Sequence, residues 1–333
     1  MVDIDKGFSL WLDFIERDFL QNSFGKLIEK GAVNGATSNP AIFANAISNS
    51  AAYDDQLVEL KGKSAKEKYE SLAVRDIKNA AIALRGVYDA GSEGFISIEV
   101  DPYLAHNTQG TIEEARRLFK AIDEPNVMIK IPATEAGYSA MRSLLGDGIC
   151  VNATLVFSPE QARMCLNYMK EGIEEFDNSG GERIEAVISV FVSRFDQMLD
   201  DRLDSLGLPV SKTGIMNAAR IYNMIERNHT PSVRTLFAST GVKNESLPDD
   251  YYIRQLYAPH SVNTASLAAL ELLDQGEPPV ATLPYDDKTI DEFFEKLEQN
   301  GIIFSEVCQQ LMQEGLEAFR NSFSDMLTRL EEQ

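Results

Sequence analysis

The sequence predicts an α/β fold, a closed (β/α)8 TIM barrel carrying extra helices, and three observations lead there. Eight short runs rich in apolar and β-branched residues recur along the 333 residues. Each is nearly continuous in apolar character rather than alternating, as parallel strands buried on both faces are. Segments of helical periodicity separate the runs, and repeated strand-helix alternation closes into a barrel.

The first run is FSLWLDFI (8–15). AVNGATSN (32–39) follows and enters a helix at Asn39-Pro40, where an Asn cap precedes a proline at the first helical position. Further helices are expected near 41–80. GFISIEVD (94–101) comes third, and Thr111 with Glu113 and Glu114 behind it marks a helix start. NVMIKIPA (126–133) leads to Thr134-Glu135, and CVNATLVFS (150–158) to Ser158-Pro159-Glu160, both caps before acidic first turns. EAVISVFVS (185–193), VRTLFAST (233–240) and YIRQLYAP (252–259) complete the set. Beyond Pro284, amphipathic helices are expected over 287–299 and 303–331, the second with Phe304, Leu311, Phe319 and Phe323 near a 3.6-residue period. No Pro/Gly/Ser-rich linker interrupts the chain, so residues 1–333 read as one barrel domain with inserted helices.

With 31 Lys and Arg against 52 Asp and Glu, the net charge is −21. Such a chain repels phosphate-rich polymers and anionic membranes, so neither is expected as a partner. A small phosphorylated substrate stays open, because a few local cations can bind it. Cys150, Cys165 and Cys308 sit far apart in apolar contexts and fit neither a disulfide framework nor a zinc site, which indicates a reducing compartment. The N-terminus lacks a basic n-region and no apolar run approaches about 20 residues, so a cytoplasmic protein is expected. His106, His229 and His260 have no metal-site spacing, so no metal is expected, and there is no Gly-rich phosphate loop.

Charge inside otherwise apolar strands is the informative anomaly: Asp13 in LWLDFI, Glu99 in ISIEVD and Lys130 in VMIKIPA. A lone buried charge is costly and is kept when paired or used. In a barrel these side chains can converge near the C-terminal rim. Schiff-base chemistry requires a neutral amine, and a dry pocket disfavours ammonium, so Lys130 suits attack on a ketone as well as it suits a structural ion pair. Asp13 and Glu99 fit proton transfer to and from hydroxyls, or simple charge balance. Asn152 and Thr154, two apart, share one face of their strand, as do Ser189 and Phe191. Asn39 is explained as a helix cap alone. Arg194 and Lys243 follow the sixth and seventh runs, where barrels often hold phosphate, although solvation accounts for either.

At these residues the sequence resembles the transaldolases. The motifs are GATSNPAIF (35–43), SIEVDPYLAHNTQGTIEEARRL (97–118), NVMIKIPAT (126–134), VNATLVFS (151–158), ISVFVSRFD (188–196) and FASTGVKN (237–244). They run in family order over nearly the whole chain. The resemblance implies a (β/α)8 barrel with Lys130 as the Schiff-base lysine and Asp13 as the acid/base that takes the C4-hydroxyl proton. It implies that Glu99 and Thr154 hold the water of imine formation and hydrolysis. Asn39, Asn152 and Ser189 would bind the dihydroxyacetone unit, and Arg194 would anchor phosphate, with Ser239 and Lys243 as candidates for the second anchor. The implied reaction moves dihydroxyacetone from a ketose phosphate (sedoheptulose 7-phosphate or fructose 6-phosphate) to an aldose phosphate (glyceraldehyde 3-phosphate or erythrose 4-phosphate), as in the non-oxidative pentose phosphate pathway. It needs no cofactor and fits a monomer or homodimer.

Three rivals remain at the level of sequence. A fructose 6-phosphate aldolase shares the lysine but releases dihydroxyacetone; those enzymes are shorter and carry a tyrosine where this chain has Phe191. A non-catalytic phosphosugar-binding barrel would use Lys130 structurally. A metal-dependent aldolase is disfavoured by three histidines in the whole chain.

Overall fold

The structure is a computed structural model that describes residues 7–332 except 92, 182 and 278. Eight parallel strands close on themselves in sequence order: β1 (Phe8–Leu12), β2 (Gly35–Thr37), β3 (Ile96–Glu99), β4 (Val127–Pro132), β5 (Val151–Val156), β6 (Ala186–Phe191), β7 (Val233–Ala238) and β8 (Ser261–Ala265), with β8 pairing back onto β1. Every residue of every strand is buried, as the unbroken apolar runs require.

Helices fill the connections. α1 (Arg17–Phe19) and α2 (Gly25–Glu29) follow β1, and α3 (Pro40–Asn49), α4 (Asp54–Glu59) and α5 (Ala65–Asp89) follow β2. Next come α6 (Thr108–Ile122), α7 (Glu135–Gly146), α8 (Pro159–Asn178), α9 (Ser193–Ser205) and α10 (Thr213–Arg227). The chain then forms α11 (Tyr251–Gln255), α12 (Leu267–Gln275), α13 (Asp287–Gln299) and α14 (Phe304–Glu331). Asn39, Thr134 and Ser158 cap α3, α7 and α8 through their side chains, as their sequence contexts predict.

Two expectations are corrected. The eighth strand is not 252–259: that stretch holds α11, and the strand is Ser261–Ala265. A short apolar run does not distinguish helix from strand, and the true β8 carries three buried polar residues, Ser261, Asn263 and Thr264, that break its apolar signal. The helix after β3 starts at Thr108, capped by Asn107, rather than near Thr111, whose hydroxyl donates to the Leu104 carbonyl instead.

The N-terminal end of the barrel is plugged by a buried polar network. Arg234 on β7 grips both oxygens of Glu93, at 2.6 and 2.8 Å, while Ser9 on β1 donates to Glu93 and Asn34 donates to Ser9. Glu93 precedes β3, and the side chains that meet on it come from β7 and β1, which are not neighbours of β3 or of each other, so these bonds cross the barrel interior. The opposite, C-terminal end is left open.

Candidate active site

At the open end lies a cavity of about 450 Å³. Asp13, Thr37, Asn39, Lys130, Ser189, Phe191, Arg194, Ser239 and Lys243 line it, together with Gln197, Thr264 and Phe319. Eight of the eleven residues singled out in the sequence are thus in its wall. Glu99, Asn152 and Thr154 are not in the lining; they sit behind Lys130 and Ser189.

Lys130 is placed by β4, where strand pairing sets it opposite Glu99 on one side and Asn152 on the other. Its Nζ donates to the Ser38 carbonyl at 3.2 Å and lies 4.0 Å from Glu99 Oε2. Both residues are buried. Neither Glu99 oxygen has a hydrogen-bond partner, nor does Thr154 Oγ1, which is completely enclosed. Burial pushes the Glu99 carboxyl up to about 8 against the pull of the Lys130 charge. Native proteins leave few such groups unsatisfied, so the two orphan Glu99 oxygens beside the Lys130 amine, with a third orphan oxygen on Thr154 of the adjoining β5, mark a place where a water or reacting group belongs.

Asp13 follows β1 directly, its amide donating to Ala265 of β8 at 2.9 Å. It is half-buried, and desolvation raises its carboxyl above the usual aspartate range while Lys130 opposes the shift. A chain of hydrogen bonds supports the floor. Thr37 and Ser97 hydroxyls meet at 2.6 Å, Asn152 Nδ2 donates to Ser97 at 3.2 Å, and Ser189 donates to Asn152 Oδ1 at 2.6 Å. The Ser97–Asn152 bond joins β3 to β5 past β4 and so spans the interior.

The rim is cationic. Arg194 is the second residue of α9 and is exposed, with no hydrogen bond or ion pair among the described residues. No side chain caps the first turn of α9, so the positive end of the helix stays available to an anion. Ser239, held at φ +52°, accepts the Ser193 amide on its carbonyl at 2.9 Å and meets the Ser193 hydroxyl at 3.2 Å. Lys243 is exposed on the loop beyond. Asp196 fixes α9 from behind: it accepts from the Gly214 amide and the Tyr252 hydroxyl, and burial lifts it to about 7.

Sequence reasoning passed over Thr37, Ser97, Gln197, Thr264 and Phe319. Ser97 was accessible, since it lies two residues before Glu99 on the same face of β3, and Thr37 was accessible as the last residue of β2, two before Asn39. Gln197 is one helical turn past Ser193, to which it donates at 3.2 Å. Phe319 gave no local signal, because an apolar residue at helical spacing reads as core. Among the described residues no group of three or more His, Cys, Asp or Glu is arranged to hold a metal ion.

Known proteins carry the same chain pattern. The family model described as transaldolase/fructose-6-phosphate aldolase matches residues 10–330. A Campylobacter jejuni (strain 81-176) protein named transaldolase is 45% identical over 98% of this chain and 100% of its own length. A Helicobacter pylori (strain 26695) transaldolase is 45% identical over 96% of this chain and 98% of its own. A buried lysine among carboxylates at the open end of a (β/α)8 barrel, carried by a sequence alike from end to end, places this chain in the transaldolase/fructose-6-phosphate aldolase family.

Proposed function

We propose that the protein is a transaldolase, a transferase that carries dihydroxyacetone from a ketose phosphate to an aldose phosphate through a Schiff base on Lys130. The observation that carries this reading is the Lys130 amine, 4.0 Å from a Glu99 carboxyl with both oxygens unpartnered, in a cavity that also holds Asp13.

The steps follow from the positions. Lys130 adds to the C2 carbonyl of the ketose, and the carbinolamine loses water to give an iminium. A carboxyl raised to about 8 is protonated at neutral pH, so Glu99 supplies the proton that turns the C2 hydroxyl into water, with Thr154 holding that water. Asp13 takes the proton from the C4 hydroxyl, the C3–C4 bond breaks, and its electrons pass to the iminium as an enamine. The aldose phosphate leaves. The enamine C3 attacks the acceptor aldehyde, Asp13 returns the proton to the new hydroxyl, and hydrolysis frees Lys130. Asn39 and Ser189 hold the dihydroxyacetone hydroxyls from the cavity wall, and Asn152 completes this set from behind Ser189, whose hydroxyl it orients. Arg194, with Ser239 and Lys243, anchors phosphate at the open end of α9, where helix dipole and guanidinium add. Phe191 beside the enamine offers no proton, which favours transfer over release.

The sugar phosphates named above are the substrates this reading assigns, with the whole chain working as one barrel, in the cytoplasm, as monomer or homodimer. No helix among the described residues is long and apolar enough to cross a membrane.

The test is borohydride reduction with fructose 6-phosphate and no acceptor, followed by peptide mass spectrometry. A dihydroxyacetone or hexose phosphate unit on the Lys130 peptide is expected. Binding without an adduct overturns the mechanism, and turnover of fructose 6-phosphate without an acceptor aldehyde makes the protein an aldolase.

A further inference from the structure

We propose that α14 is a working wall of the active site, with Phe319 shielding the Lys130 enamine from water so that dihydroxyacetone is passed on rather than released. The inference rests on the transaldolase reading.

Phe319 is the one contribution of the C-terminal helix to the cavity, and with Phe191 it forms the aromatic part of a lining otherwise rich in hydroxyls, amides and charges. It is only 8% exposed, although it enters from outside the barrel. Three contacts set its depth. Gly315, one turn earlier, lies so close to the end of β5 that a Cβ there would stand 2.9 Å from Leu155 Cδ2. Leu155 itself is held at φ +56°, at the register shift between Ala153 and Val156, immediately after Thr154. One turn past Phe319, Phe323 packs edge-on against Tyr69 at 5.3 Å, and at the end of α14 the buried Lys68 of α5 donates to the Leu330 carbonyl at 2.7 Å. A helix held on both sides of Phe319 places its ring at a fixed depth.

The chemical consequence concerns the intermediate between donor and acceptor. The enamine is lost when a proton from water reaches C3; the resulting iminium then takes up one water and releases dihydroxyacetone and the free lysine amine. That water balances the one expelled on imine formation, and the proton balances the one that left the C4 hydroxyl. An apolar ring gives water no hydrogen-bond partner, whereas the hydroxyl, amide and charged groups of the lining do. Removing the ring opens space for waters of about 30 Å³ each beside polar neighbours.

The experiment measures, from fructose 6-phosphate with erythrose 4-phosphate, free dihydroxyacetone released per sedoheptulose 7-phosphate formed. The ratio comes only from folded sites and so is independent of how much variant folds. Phe319→Ala and Phe319→Gln, the second keeping bulk while offering water a partner, should raise the ratio about tenfold, and Phe319→Leu should stay near wild type. An unchanged ratio in the Ala and Gln variants overturns the proposal while leaving the transaldolase reading intact. Absence of sedoheptulose 7-phosphate with the wild-type protein overturns both.

Discussion

Glu99 and Lys130 face each other across paired strands with Nζ 4.0 Å from Oε2, yet neither carboxylate oxygen accepts a hydrogen bond. An ion pair built for stability would close that gap and satisfy those oxygens. The spacing leaves Glu99 protonatable, with burial raising it to about 8.

The rate should follow that proton. Glu99 acts as an acid when protonated, so kcat is expected to hold below its raised value and to fall as pH climbs through about 8. Glu99→Gln should lower kcat by roughly 10²–10⁴-fold and abolish this alkaline limb. A pH profile with an unchanged limb in the variant assigns the titration to another group.

Asp13 separates from Glu99 by the step it serves. Imine formation at C2 does not need the C4-hydroxyl proton, so Asp13→Asn should still yield a borohydride-trapped Lys130 adduct while losing roughly 10²-fold or more of kcat. The trapped species should be the intact hexose phosphate rather than dihydroxyacetone. Loss of trapping together with turnover would show that Asp13 only balances the Lys130 charge.

Arg194 stands free at the open end of α9. A charge-assisted phosphate contact is worth about 1.5–3 kcal/mol, so Arg194→Ala should raise KM for phosphorylated ketoses by roughly 10–100-fold, with a smaller change in kcat. The same variant should treat an unphosphorylated ketose as the wild type does, and Arg194→Lys should recover part of the loss, as a point charge without the bidentate fork. Equal losses on both sugars would remove Arg194 from phosphate binding.

The sequence was most legible where buried charge interrupts an apolar strand. Lys130 and Glu99 stand out because a charge in such a run must be either paired or used, and Asp13 because it ends one. β8 was illegible for the converse reason: Ser261 and Asn263 on its outer face and Thr264 toward the cavity are all buried and polar, so the strand lacks the apolar signal by which its neighbours are found. The spacing of Thr37 to Asn39 and of Ser97 to Glu99 could have brought them in, but the hydrogen-bonded belt they form runs to other strands, which no local pattern shows. Phe319 is the extreme case, since its place in the cavity depends on the path of a helix about 200 residues away in sequence from Lys130, far beyond any periodicity window.

The plug at the other end of the barrel offers a control that touches stability alone. Glu93 is 1% exposed and holds both ends of the Arg234 guanidinium as well as the Ser9 hydroxyl, and its negative charge keeps Arg234 more firmly protonated than usual. Taking away one partner of a buried pair strands the other charge in a low-dielectric interior, at a cost of about 3–5 kcal/mol. Glu93→Ala should therefore lower the denaturant midpoint sharply, and Glu93→Gln, which can still accept from Arg234 through its amide oxygen, should lower it less. Because the network lies at the N-terminal end and the Lys130 cavity at the C-terminal end, kcat of the folded fraction should change less than about twofold, as stability residues at this face of a barrel do not touch the chemistry. A large fall in kcat at unchanged midpoint would mean that the plug sets strand register at the site rather than holding the barrel together.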